Sequence, residues 1–406
     1  MQRSLILSLV GAVAALLTAA WYLSAGDQPS SDATDAGKLA AIASMAPTTA
    51  DSAQTAAAGG TTGPLSPEGQ RARQAQLALW QARYERAEQT YANYRDITRY
   101  PHDSRPLAEH PDQVRPFAPV SEDNLVRNAK GEPVKGLKLR TTQERVFTSG
   151  ADTIKLTLAV LDETGQVQAL GISRASAQSV AESKVLAKVI DTPISFDDQG
   201  QGADSVAGDG TYSARLAPSQ QGFESYAGTI RVQVQFMANG EPGVAHFDVV
   251  YNPEVPAAWV GVREAVEAGS LNFYLKVQVN KPGRYVASAR VDDAKGQPFA
   301  LLQFNDELAV GPREFKMHVF GALIHDKNPA FPLRLRDVDG FLLIPDKFPD
   351  RAMMARQTGV VHTSARYSVS SFTATEWSSE ERERYLAEYA KDAEAAKAQV
   401  ERLSRR

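Results

Sequence analysis

The apolar positions of this chain follow different rhythms in successive stretches. Residues 5–25 read LILSLVGAVAALLTAAWYLSA, a run without charge. About 20 such residues at about 1.5 Å rise cover roughly the 30 Å hydrocarbon core of a bilayer. Arg3 precedes the run and no Lys or Arg follows it until Lys38. The positive-inside bias therefore puts the start in the cytoplasm and the bulk outside it, with Trp21 and Tyr22 at the far interface. Cleavage is the rival reading, since Thr18-Ala19-Ala20 and Leu23-Ser24-Ala25 offer small residues. The run nevertheless exceeds the roughly 7–15 residues of a signal-peptide apolar region. Residues 1–25 thus read as an inner-membrane anchor or uncleaved signal with a periplasmic or other extracytoplasmic bulk; the alternative is a secreted chain.

Residues 26–65 carry Ala, Ser, Thr, Gly and Asp with few large apolar side chains. Such a stretch cannot bury enough surface to offset its ordering entropy and reads as a disordered tether. From Ser66-Pro67-Glu68 the period becomes helical. Ser suits an N-cap, Pro the first helical position, and Glu68 complements the helix dipole. Over 66–100, Leu77, Trp80, Tyr84, Ala87, Tyr91 and Tyr94 recur at alternating spacings of three and four. That is one seam of an amphipathic helix, either packed on its own protein or offered for docking or dimerisation. Residues 101–136 hold Pro101, Pro106, Pro111, Pro116, Pro119 and Pro133, which disfavour helix and predict an extended strap.

The period then becomes two. Ile154, Leu156, Leu158 and Val160 alternate with polar or small residues, as do Ile230, Val232, Val234 and Phe236 before the turn pair Asn239-Gly240. Leu271, Phe273, Leu275, Val277 and Val279 point one way, as do Tyr285, Ala287, Ala289 and Val291, and Phe315, Met317 and Val319. These are half-buried antiparallel strands. The expected fold class is mainly β: two tandem Ig-like sandwiches over 137–254 and 255–375. A last helix follows over 376–406, with Ser378 and Glu381 spaced as a capping box. Its seam is Leu386, Tyr389, Ala393, Ala396, Val400 and Leu403. Small Ala393 and Ala396 leave room for rings from the first helix, within one chain or between two copies, so a homo-oligomer through the helices is one expectation.

Composition narrows the partners. There are 44 basic against 48 acidic residues and a net charge of -4, so no basic excess exists to neutralise phosphates and nucleic acid is not an expected partner. Cysteine is absent, which removes disulfides, thiol catalysis and a lipid-bearing Cys.

The loop from Asp197 to Tyr212 is rich in Asp and Gly and closes with Ala207-Gly208-Asp209-Gly210-Thr211-Tyr212. It resembles the loop of the choice-of-anchor X type Ig-like domain of exported bacterial proteins. The second module resembles the same group through Gly283-Arg284-Tyr285, Leu308-Ala309-Val310-Gly311 and His362-Thr363-Ser364-Ala365-Arg366-Tyr367. The resemblance covers about residues 140–375. It implies sandwich modules on an exported or surface protein, with no catalytic residues to carry over. Read from its own residues, the loop suits either of two chemistries. Asp197, Asp198, Asp204 and Asp209 with loop carbonyls are a ligand set for Ca²⁺, although their spacing is not that of an EF-hand. Turn formation by Asp and Gly accounts for the same composition.

No G-x-S-x-G or H-E-x-x-H motif occurs. Gly131 to Gly136 has phosphate-loop spacing, but Leu137 stands where Lys is needed. His318 lies in an alternating strand, and His325-Asp326 and His362 have no required relation. The sequence therefore predicts a non-catalytic scaffold or protein-binding module, anchored in the membrane, with an unspecified envelope protein as partner. The alternative is an accessory protein or hydrolase whose site is assembled from distant residues.

Overall fold

The computed structural model describes residues 66–128, 131–180 and 189–405. The proposed anchor and the tether, residues 1–65, lie outside the described residues. Among those described, no helix is long and apolar enough to cross a membrane.

Two β-sandwiches follow one another. The first is built from β2 (Val120–Arg127), β3 (Pro133–Gln143), β4 (Phe147–Ser149), β5 (Ile154–Asp162), β6 (Val167–Gln168), β7 (Leu170–Ser179), β8 (Asp191–Pro193), β9 (Tyr212–Leu216), β10 (Gly228–Ala238) and β11 (Glu241–Asn252). One of its sheets runs β2-β3-β5-β6 with β9 added to β5, and the other runs β4-β11-β10-β7-β8. All its ladders are antiparallel except β4 with β11. The alternation of β5 and β10 has its physical counterpart here: Ile154, Leu156, Leu158 and Val160 meet Ile230, Val232, Val234 and Phe236 in one core. Asn239 takes the left-handed turn at φ 51 between β10 and β11, a conformation Asn tolerates better than most residues.

The second sandwich contains β12 (Ala257–Glu267), β13 (Ser270–Val279), β14 (Gly283–Asp292), β15 (Pro298–Leu308), β16 (Gly311–Val319), β17 (Arg334–Leu343), β18 (Arg351–Met353) and β19 (Gln357–Thr363). A three-stranded sheet, β12-β13-β16, faces a six-stranded one in which β14 and β17 are central. Phe304 stacks on Phe315 across them at 4.5 Å, and Trp259 meets Phe315 edge-on at 5.3 Å. This core is separate from the first.

The strap differs from its expected form at both ends. Residues Ser104–Pro106 form β1 and pair with Ala300–Leu302 of β15, so they extend the second sandwich, not the first. Two 3-10 turns follow, Leu107–Glu109 and Pro111–Gln113, with Leu107 fully buried. Arg290, only 2% exposed, donates to the Gln113 carbonyl, to its side-chain amide oxygen, to the Asp337 carbonyl and to Asp339. Arg336 donates to the Val114 carbonyl and to Asp292 and Asp337. Proline removes the backbone donors that would have built a ladder here, so side-chain donors hold the strap instead. Its last part is not strap at all, because β2 begins at Val120 and β3 at Pro133. The first sandwich is therefore an insertion between β1 and the rest of the second.

Register fixes the order along the molecule. At one end of the second sandwich lie Glu267 paired with Ser270, and Asp292 paired with Pro298 and Arg334. At the opposite end lie Ala257 paired with Val279, Gly283 paired with Leu308, and β18 paired with Phe341–Leu343. The first sandwich meets this second end, where the Met353 N–H donates to Ser149 Oγ at 2.8 Å.

Candidate interaction site at the helical hairpin

Helix α1 (Pro67–Ile97), short α2 (Gly321–Lys327) and helix α3 (Glu380–Ser404) complete the chain. α1 and α3 pair antiparallel. Arg73, near the start of α1, donates from Nε to the Leu403 carbonyl at 3.0 Å, near the end of α3. At the other end Tyr94 packs edge-on against Tyr385 at 5.7 Å and Tyr389 at 5.2 Å. Such aromatic pairs stabilise by about 0.5–1.5 kcal/mol each beyond area burial.

Leu77, Trp80, Tyr84, Ala87, Tyr91 and Tyr94 are half-buried, while the positions between them are exposed. In α3, Leu386 and Ala396 are buried and Tyr389, Ala393, Val400 and Leu403 are half-buried. The two seams thus face each other within one chain. Arg83 covers the Trp80 ring at 4.7 Å, and the Tyr84 hydroxyl donates to Glu88.

What the spacing alone did not indicate is the clamp that fixes this hairpin to the second sandwich. Pro101 ends α1, and the turn residues take up charged contacts. Arg99 grips Asp326 of α2 with two bonds, at 2.6 and 2.9 Å, and Glu376 with a third at 2.7 Å. Arg95 reaches the same Glu376 oxygen at 2.9 Å. Arg382, 5% exposed, donates to the other Glu376 oxygen at 2.8 Å and to Thr98 Oγ1 at 3.1 Å. The Tyr100 hydroxyl donates to Asp326 at 2.7 Å, and the Trp377 N–H to the Arg99 carbonyl at 3.1 Å. The Arg99 guanidinium beside Asp326 holds its carboxyl below the usual range, and Arg95 does the same for Glu376. Burial, with the neighbouring Asp326, pushes the Tyr100 hydroxyl up to about 12. A cap also shifts by one residue: Ser379, not Ser378, accepts from the Arg382 N–H, and Ser378 turns its hydroxyl to Glu383.

The Asp/Gly loop is organised by turns. Asp198 accepts from the N–H groups of Gly208, Asp209 and Gly210. Asp204 accepts from Gly200 at 2.6 Å and from Val206, and the Gly200 N–H holds its carboxyl below the usual range. Asp209 accepts from Thr211, while Asp197 sits in a β-bridge with Ser213. The Ca²⁺ expectation finds no convergent cage, since among the described residues no group of three or more acidic or imidazole side chains is placed to hold a metal.

His325, His318 and His362 each have a different partner. His325 Nε2 lies 2.9 Å from the Phe372 carbonyl, and His318 Nδ1 lies 3.4 Å from Asp103. His362 is 3.0 Å from Glu264, a carboxylate that also accepts from the Ala365 N–H and the Tyr367 hydroxyl. That cluster ties β12 to β19 and to the segment after it.

No protein-family model matches the chain, and no curated protein matches it. Among solved structures, a DUF4785 family protein from Legionella pneumophila is similar over 55% of this chain and 57% of its own, at 14% identity and TM-score 0.37. The chain thus spans little more than half of that relative. FdeC, an Escherichia coli adhesin, is similar over 44% of this chain and 63% of its own, at 14% identity and TM-score 0.19. Fibronectin(III)-like modules of CbhA from Clostridium thermocellum are similar over 59% and 90%, at 11% identity and TM-score 0.20. At such identities and scores none of them bears on what this chain binds or does.

Proposed function

We propose that this chain is a non-catalytic envelope protein, anchored by residues 5–25, that displays two Ig-like sandwiches outside the cytoplasm as a scaffold or protein-binding module. The observation that carries the reading is the order of parts. The hairpin joins one end of the second sandwich and the first sandwich joins the other. Helix α1 begins where the tether ends in sequence, and at about 1.5 Å per residue its 31 residues make a stalk of about 46 Å. A stalk at one end and a head at the other suit presentation to a partner. The choice-of-anchor X resemblance and the uncharged N-terminal run agree with export.

Cell fractionation tests the reading. The full-length chain stays with the inner membrane and its bulk is digested by protease added from the periplasmic side. Deleting residues 1–25 leaves it in the cytoplasm. Recovery of the intact chain from the cytoplasm would sink the proposal.

A further inference from the structure

Charge is separated along the helical hairpin. The start of α1 and the end of α3 form its distal tip, joined by the Arg73 bond to the Leu403 carbonyl. Residues 67–80 and 395–405 carry Arg71, Arg73, Lys397, Arg402 and Arg405 against Glu68 and Glu401, an excess of three positive charges in a chain of net charge -4. The clamped end has the opposite sign, since residues 88–99 and 376–388 carry seven acidic side chains against four basic ones. At the tip the opposite macrodipole ends of two antiparallel helices lie side by side and offset one another, so the side chains set the sign. Arg73 is taken up by the Leu403 carbonyl, and Arg405 pairs with Glu401 at 3.2 Å. Arg71, Lys397 and Arg402 are exposed and pair with no described residue. Like charges gathered in this way add nothing to the fold and leave a positive field at the tip.

We propose that this tip docks on the anionic phosphate headgroups of a membrane surface. It is the described part of the chain nearest in sequence to residues 5–25, so the bilayer those residues would enter is the surface it meets first. Exposed Lys and Arg are drawn to an anionic leaflet within about a Debye length, roughly 8–10 Å, while the acidic clamped end is repelled. The hairpin then stands with its tip on the lipid and the sandwiches turned away from it. Attraction of this kind rests on charge and not on shape, so salt weakens it. The inference rests on the anchoring proposed above and deepens it: residues 5–25 hold the chain to the membrane, and the tip sets how the stalk stands on it.

The full chain has no cysteine, so Ala398→Cys, at an exposed position of α3, places a single donor dye at the tip. Energy transfer to an acceptor on the headgroups is read in vesicles of phosphatidylcholine with and without phosphatidylglycerol. Transfer is higher in the anionic vesicles. It falls to the neutral level when sodium chloride rises from about 0.1 to about 1 M, where the Debye length drops to about 3 Å. Arg71→Gln, Lys397→Gln and Arg402→Gln each weaken docking by about five-fold and together abolish the difference between the vesicles. Arg384→Gln, at the clamped end of α3, leaves the difference intact. Equal transfer in neutral and anionic vesicles overturns the proposal, as does an undiminished difference in the triple variant. Flotation of the same samples separates docking from anchoring. An anchored chain floats with both kinds of vesicle, and an unanchored one that docks floats with the anionic kind alone. A chain that floats with neither overturns both readings.

Discussion

At one end of the second sandwich Arg99, Arg95, Arg382, Asp326 and Glu376 interlock, and the strap beside them is held by Arg290 and Arg336. At the other end the Met353 to Ser149 bond and the Arg351 guanidinium over Phe147, at 4.5 Å, join two separate cores. The first end distributes most of its charges over several partners, with Glu376 shared by three arginines. The second shares no core. Interfaces of that polar, limited kind permit relative motion by default.

The comparison breaks most severely if the hairpin is removed. Deleting residues 378–406 strips the partner seam from α1, and full burial of a Leu or Val stabilises by roughly 1.5–3 kcal/mol. Leu386, Tyr389, Val400 and Leu403 are buried in whole or part, so the summed loss is on the order of several kcal/mol. The melting temperature drops, and Trp80 emission shifts to the red. Unchanged melting and emission would show that the seams do not support each other.

Next in size is Arg290→Gln. Removing one partner of a buried charged network costs about 3–5 kcal/mol, and here it also leaves the Gln113 and Asp337 carbonyls without their donor. Urea unfolding reads the loss, and hydrogen exchange quickens in residues 104–114. A strap that stays protected would mean that β1 and Leu107 hold it alone.

Glu376→Gln sharpens the contrast between the ends, because this one carboxylate receives Arg95, Arg99 and Arg382. Its pairs are partly solvated, so the expected loss is about 1–2 kcal/mol. Amides of α3 exchange faster while those of the first sandwich do not change. The same clamp is pH-dependent. Asp326 and Glu376 have folded pKa values below the usual carboxylate range. Their stabilisation is therefore present above the unfolded value, about 4, and lost as pH falls through the folded one. Tyr100 is raised to about 12. Its contribution is full below about 10 and lost as pH rises toward 12. A melting profile that stays flat below pH 4 would sink the assignment.

Smallest is the Asp/Gly loop of the first sandwich. Asp204→Ala takes the acceptor from the exposed Gly200 and Val206 N–H groups, and since water can replace it the loss is about 1 kcal/mol or less by thermal melting. Chelator leaves the parent's melting temperature unchanged. A chelator-induced drop that vanishes in the variant would restore Ca²⁺ to this loop.

Periodicity made much of the local structure legible. The two-residue alternation marked the inward faces of β5, β10, β13 and β14, because a strand's pleat assigns each residue to a face without reference to its neighbours. The three-four spacing marked which positions of α1 and α3 are shielded, for the same local reason. Ser379 as the cap lay one residue beyond what spacing indicated, since Glu381 gives the capping-box spacing to Ser378 while Arg382 stands at that place after Ser379, and only the backbone path selects Ser379. Partnership was not local. That β1 pairs with a strand nearly 200 positions later, that the first sandwich is inserted in the second, and that Arg99, Asp326, Glu376 and Arg382 meet were decided by tertiary structure alone. Charged residues recur throughout the chain and carry no period, so nothing in the order of residues distinguishes a clamp arginine from a solvated one. The sequence by itself determined which faces are apolar. Only the fold, by bringing distant segments within hydrogen-bonding reach, decided which charges hold it together.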